Sequence, residues 1–190
     1  ELWNSATQAR FIHTSAFALS REPARSMIIE IINTAHTDGK TISLDPNFHT
    51  AHGHDCPDFL NKLKDFYQYV TITKPSLDDS RRIFGDGLEP IQYLEEFLKL
   101  GPDFVVLTMG EQGTLLGLAS GERYHLLPNQ VEVIDVTGAG DAFWSGMFAG
   151  LSEGLAPLSA AKLGQAVAEH KISILGPVTK HPPIEEYLRR

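Results

Sequence analysis

Apolar residues follow two different spacings along this chain, and the two alternate. Short segments at residues 10–14, 41–44, 69–73 and 104–108 predict strands. Between them, apolar positions recur every three or four residues. Ala24, Met27, Ile28, Ile31, Ile32 and Ala35 predict one helical face, closed by Gly39. Further helices are predicted over 57–66, with Pro57 in its first turn, from Ser76 to Gly85, and around Ile91, Leu94, Phe97 and Leu98 up to Gly101-Pro102. Such alternation predicts an α/β fold with a mainly parallel sheet, flanked by helices on both faces.

After residue 108 the rhythm changes. Segments 114–119 and 122–127 flank Ser120-Gly121 and predict a β-hairpin at one side of the sheet, and 131–134 predicts one more strand. Helices resume at 141–152 and 158–174. There is no internal repeat or linker composition, so residues 1–190 read as a single α/β domain. Met27, Phe59, Phe66, Phe97 and Phe104 fall on predicted core faces, while Glu95, Glu96 and Lys99 mark a solvated one.

Composition narrows the partners. With 16 Lys and Arg against 24 Asp and Glu the net charge is -8, which argues against nucleic acid. One cysteine, Cys56, leaves no internal disulfide framework. No apolar run reaches the roughly 18 residues that span a bilayer, so no membrane partner is predicted and a soluble, cytoplasmic protein is expected.

The richest chemistry lies in Asp135-Val136-Thr137-Gly138-Ala139-Gly140-Asp141. The segment follows a predicted strand and opens a helix, so backbone amides and the positive helix end converge where an anion would fit. Asp141, in the first turn, is placed to take a proton from an attacking hydroxyl. A glycine turn with a dipole-stabilising aspartate is the purely structural alternative. The dinucleotide fingerprint fails, because Phe143 stands where its third glycine belongs, and no Walker A sequence occurs.

This segment resembles the C-terminal signature of the ribokinase or phosphofructokinase-B type carbohydrate kinases. The resemblance implies a ribokinase-like fold, ATP and Mg²⁺, and a sugar or nucleoside acceptor. It makes Asp141 the catalytic base and the amides of Gly138, Ala139 and Gly140 an anion hole. Three further segments are similar to family strand-end motifs in the family's order: Asp45-Pro46-Asn47, Lys74-Pro75, and Thr108-Met109-Gly110-Glu111-Gln112-Gly113. By resemblance Thr108, Gly110 and Gly113 contact the nucleotide, and Asn47 and Lys74 lie near phosphate. The family also carries an upstream portion with a sugar pocket and a lid, not recognisable in these residues. The 190-residue chain alone is therefore expected to be inactive, and a strand edge left open invites self-association as a homodimer.

Two departures stand out. Where the family commonly has Asn-x-x-Glu, this chain has Ser76-Leu77-Asp78-Asp79, which reads either as a water-mediated Mg²⁺ site at Asp79 or as a capping-box helix start. His49 replaces a frequent arginine. His49, His52, His54, Asp55 and Cys56 offer zinc-type ligands without the spacing of a closed site, so a polar loop is the preferred reading. A noncatalytic nucleotide-sensing or interaction protein on the same fold, or an unrelated α/β nucleotide-binding domain with coincidental motifs, are the competing functions.

Overall fold

Strand, helix and parallel strand succeed one another through the first half of the chain, which brings the ends of successive strands to one side of the sheet. The computed structural model describes residues 8–49 and 58–187. The elements are β1 (Phe11–Ser15), α1 (Ala16–Leu19), α2 (Ala24–Thr37), β2 (Thr41–Asp45), α3 (Phe59–Phe66), β3 (Ile72–Thr73), α4 (Leu77–Phe84), α5 (Pro90–Lys99) and β4 (Phe104–Thr108). They continue with β5 (Thr114–Leu118), β6 (Arg123–Leu126), α6 (Ala139–Ser152), α7 (Pro157–Ile172) and α8 (Ile184–Tyr187). The sheet has six strands in the order β1-β2-β3-β4-β5-β6. Its first four are parallel, with Ser15 opposite Asp45, Leu44 opposite Thr73, and Thr73 opposite Val105.

The chain forms two compact units, Glu1–Met109 with Gly117–Arg123, and Gly110–Leu116 with Tyr124–Arg190. In the first, Ile42, Leu44, Val105, Val106 and Leu107 are inaccessible to solvent, as expected of strands covered on both faces. Phe59, Phe66, Phe97 and Phe104 are buried as their periodicity predicts. Tyr67, also fully buried, shares a 3.1 Å hydrogen bond with Thr73, and burial pushes its phenol well above the usual range.

In the second unit α6 and α7 pack through glycines. A Cβ on Gly146 would lie 2.8 Å from the Leu163 carbonyl oxygen, and one on Gly164 would lie 2.7 Å from the Phe143 ring. Only hydrogen in place of a side chain permits that approach. Leu163, Ala166, Val167 and Tyr187 complete the core beside it.

Three expectations need correction. Residues 131–134 form no strand: the amides of Ile134 and Asp135 both donate to the Ile172 carbonyl, at 2.7 and 3.1 Å, so the segment is fastened to the end of α7. The third strand shortens to Ile72–Thr73 because Tyr67–Tyr69 forms a 3₁₀ turn ahead of it. Met27 is 54% exposed, since α2 buries only Ile32 and Ala35 of its apolar stripe. The hairpin does form, closed by the Leu118 amide donating to the Glu122 carbonyl at 3.0 Å.

Gly164→Ala tests the helix contact. The new methyl group meets the Phe143 ring and carbonyl, so thermal or denaturant unfolding should show a loss of about 1–3 kcal/mol, typical of overpacking. An unchanged midpoint would mean that α6 and α7 separate freely.

Candidate active site

Pro46 cannot continue a central ladder, so β2 stops at Asp45 and the chain turns. Asn47 takes a positive φ of 28°, a region asparagine tolerates better than most residues. Its amide donates to Asp45 Oδ1 at 3.2 Å, and the residue is presented to solvent. Phe48 anchors the turn from inside, buried and stacked on Phe59 with ring centroids 6.1 Å apart. Its peptide is gripped from both sides by α4: the Phe48 amide donates to Asp79 Oδ1 at 2.7 Å, and Arg82 Nη1 donates to the Phe48 carbonyl at 3.2 Å.

Asp79 therefore has little capacity to spare. Its second oxygen accepts from the Ser76 amide at 3.0 Å and the Ser76 hydroxyl at 2.6 Å, while the Asp79 amide donates back to Ser76 Oγ at 3.0 Å. This is the capping box that opens α4. With three donors on a buried carboxylate, direct metal ligation by Asp79 does not fit. Lys74, 4% exposed, sets its ammonium 3.5 Å from Asp45 Oδ2. The Thr108 amide and hydroxyl both point at the Pro75 carbonyl, at 3.0 and 3.4 Å. Asn47, Lys74, Asp79 and Thr108 thus share the carboxyl end of the parallel strands, where open α/β sheets place ligands.

In the second unit Gly110 opens a 3₁₀ turn, Gly110–Gln112. Gly113, at φ 84°, has the Leu126 carbonyl so close that any side chain would collide with it. Its glycine is required by the turn itself, whatever else it serves. Gly138 is the left-handed N-cap of α6, at φ 78°. The Ala139 amide is spent on the Val136 carbonyl at 3.1 Å, and the Ala142 amide on the Gly138 carbonyl at 2.9 Å. Among the described residues no backbone acceptor takes the amides of Gly140 and Asp141. These two open donors sit at the positive end of a 14-residue helix, with the exposed Asp141 carboxylate in the same turn.

Asp135 holds this turn from behind. It accepts from the Thr137 amide at 3.0 Å, the Gly176 amide at 3.3 Å and the Lys171 ammonium at 3.4 Å. The donors, Thr137 foremost through its amide and then its hydroxyl, followed by Gly176 and Lys171, lower its pKa from 3.8 to about 2.

His49 is exposed at the end of the Asn47 turn, while His52, His54, Asp55 and Cys56 lie outside the described residues. Among the described residues no group of three or more His, Cys, Asp or Glu side chains is arranged to hold a metal, and no helix is long and apolar enough to cross a membrane.

The family model for the pfkB family carbohydrate kinases matches residues 1–183. The chain belongs to the pfkB family. It is 36% identical over 182 residues to the ATP-dependent 6-phosphofructokinase of Thermoanaerobacterium thermosaccharolyticum, covering 93% of this chain and 54% of that one. It is 29% identical over 161 residues to the fructokinase of Klebsiella pneumoniae, covering 84% and 52%. Among solved structures, aminoimidazole riboside kinase from Salmonella enterica, complexed with aminoimidazole riboside and an ATP analog, superposes with a TM-score of 0.83 at 23% identity, covering 93% of this chain and 61% of that one. The ribokinase of Thermotoga maritima gives a TM-score of 0.74 at 24% identity, covering 99% and 59%. The fold is ribokinase-like. The chain spans about half the length of the curated pfkB relatives it matches.

Residues outside the pfkB motifs also build the site, and sequence reasoning missed them. Glu169 fixes the segment after β6 by accepting from the Asn129 amide at 2.9 Å and its side chain at 2.8 Å. Lys171 reaches Asp135 from α7. A signal for Lys171 was present: it lies four residues beyond Val167 and seven beyond Gly164, on the buried stripe of the helix.

A carboxylate with a depressed pKa contributes stability above its unfolded pKa and loses it as pH falls through the folded one. The difference in melting temperature between the parent protein and Asp135→Asn should therefore be constant from about pH 8 to 5, then shrink below 3.8 toward about 2. A difference that stays constant down to pH 2.5 would remove the ionised carboxylate from the account.

Proposed function

We propose that the intact protein transfers the terminal phosphoryl group of ATP to a hydroxyl of a sugar or sugar-like acceptor, nucleosides included. One observation carries this reading: the start of α6 offers two amide donors, Gly140 and Asp141, that no backbone acceptor takes among the described residues, and a carboxylate in the same turn. The acceptor oxygen attacks the terminal phosphorus, its proton passes to Asp141, and the bond to the departing ADP oxygen breaks. The open amides and the helix end stabilise negative charge on the transferred group. The anion hole expected at Gly138, Ala139 and Gly140 narrows to the amides of Gly140 and Asp141, with Gly138 supplying the turn and Ala139 closing it.

The remaining positions take supporting roles. In the first unit, Asn47 and Lys74 serve the phosphate side and Thr108 the nucleotide; in the second, Gly110 and Gly113 serve the nucleotide. Mg²⁺ would enter with the triphosphate and neutralise charge on its oxygens. Asp79, engaged by Ser76 and Phe48, is left a contact through water at most, and its main work is to hold the Asn47 turn. Family membership supports the chemistry, and relatives named as phosphofructokinase, fructokinase and riboside kinase support a sugar hydroxyl as acceptor.

Asp141→Asn in the intact protein separates this from a structural role. Turnover, followed as ADP formation against a panel of sugars, sugar phosphates and nucleosides, should fall about 10²- to 10⁴-fold, with nucleotide affinity and melting temperature nearly unchanged. Parent-like turnover with a lowered melting temperature would make Asp141 a helix-stabilising residue and nothing more.

A further inference from the structure

Lys171 is a buried cation on α7. Its side chain is 8% exposed, and an ammonium taken out of water is unfavourable unless it is paired and hydrogen-bonded. Among the described residues its ammonium donates to one residue, Asp135: Nζ lies 3.2 Å from the backbone carbonyl oxygen and 3.4 Å from Oδ2. The stem passes directly behind the turn, since a Cβ on Gly138 would lie 3.9 Å from Lys171 Cε. The lysine also stands in the last turn of α7, whose Ile172 carbonyl accepts from Ile134 and Asp135, so the negative helix end favours a cation there.

We propose that Lys171 is a positioning residue for the Asp135–Asp141 turn. Its ammonium ties the main chain and side chain of Asp135 to α7, which fixes the αL start at Gly138 and aims the Gly140 and Asp141 amides. It also places a fixed positive charge behind donors that face an anion. The catalytic half of this inference rests on the phosphoryl-transfer reading above; the structural half does not, and the two are measured separately.

Lys171→Met keeps the length of the stem and removes the charge. In the intact protein, kcat for ADP formation should fall about 10²-fold while KM for ATP changes far less, as a misplaced reacting group predicts. Amide hydrogen exchange supplies a readout independent of activity. The Thr137, Ala139 and Ala142 amides, hydrogen-bonded within the turn, should exchange about tenfold faster, with the β4 amides unchanged. In Lys171→Ala, added methylammonium should slow that exchange again and restore part of kcat, whereas tetramethylammonium, too large for the space, should not. If Lys171→Met does not fold, the exchange measurement moves to Lys171→Met with Asp135→Asn, which leaves no buried charge unpaired. Unchanged exchange at Thr137, Ala139 and Ala142, or faster exchange spread equally over β4 with no rescue by methylammonium, would overturn the proposal. An intact parent protein that makes no ADP with any acceptor would sink the kinase reading and leave the exchange result to decide the role of Lys171.

Discussion

The close approach of α6 and α7 is the constraint on which the second unit of this molecule depends. At Gly146 and Gly164 each backbone lies where a side chain on the other helix would stand, so the pair has little freedom to slide or tilt. One consequence is local to the core, where Leu163, Ala166 and Val167 pack tightly. The other reaches the chemistry. Because α7 runs back along α6, its last turn arrives beside the first turn of its partner, and the Ile172 carbonyl, Lys171 and Gly176 all take hold of the segment leading into Gly138. A helix–helix contact thus aims two backbone amides.

The resulting site is built from backbone dipoles and held from behind by charge. Asp135 accepts from several donors, which keeps it ionised well into acid. The same economy recurs at the end of β2. There Asp79 and Arg82 grip the Phe48 peptide from both sides, so that the preceding Asn47 can be kept at a positive φ and turned outward. In both places a charged side chain fixes a peptide, and the peptide or its neighbour is what remains open. That division suits phosphoryl transfer, in which positioning and electrostatic stabilisation carry most of the catalysis.

Much of this was legible in the sequence, for identifiable reasons. The buried strand at 104–108 opens on the apolar run Phe-Val-Val-Leu, and the strand at 41–45 carries Ile42 and Leu44 and is stopped by Pro46, signals that can be read locally. Ser76 and Asp79 read equally well as a capping box or a metal site, and the hydrogen bonds to Ser76 and Phe48 give the box its full weight. Other features depended on contacts that no local pattern encodes. Val131 and Val133 alternate with polar residues as a strand would, yet Ile134 and Asp135 find their acceptor at Ile172 of α7, far along the chain. Met27 sits at helical spacing on a stripe that is covered only at Ile32 and Ala35. Ala139 belongs to the motif, but only the fold reveals that its amide is already used.

In the proposed reaction the first turn of α6 receives the phosphate. A titration of the intact, ¹⁵N-labelled protein with Mg²⁺ and a nonhydrolysable ATP analogue reports on each amide directly. Gly140 and Asp141 should show the largest downfield shifts, since both gain an acceptor on binding, while Ala139, already bonded to Val136, moves little. Saturable binding that leaves the Gly140 and Asp141 amides unmoved would contradict this placement of the phosphate.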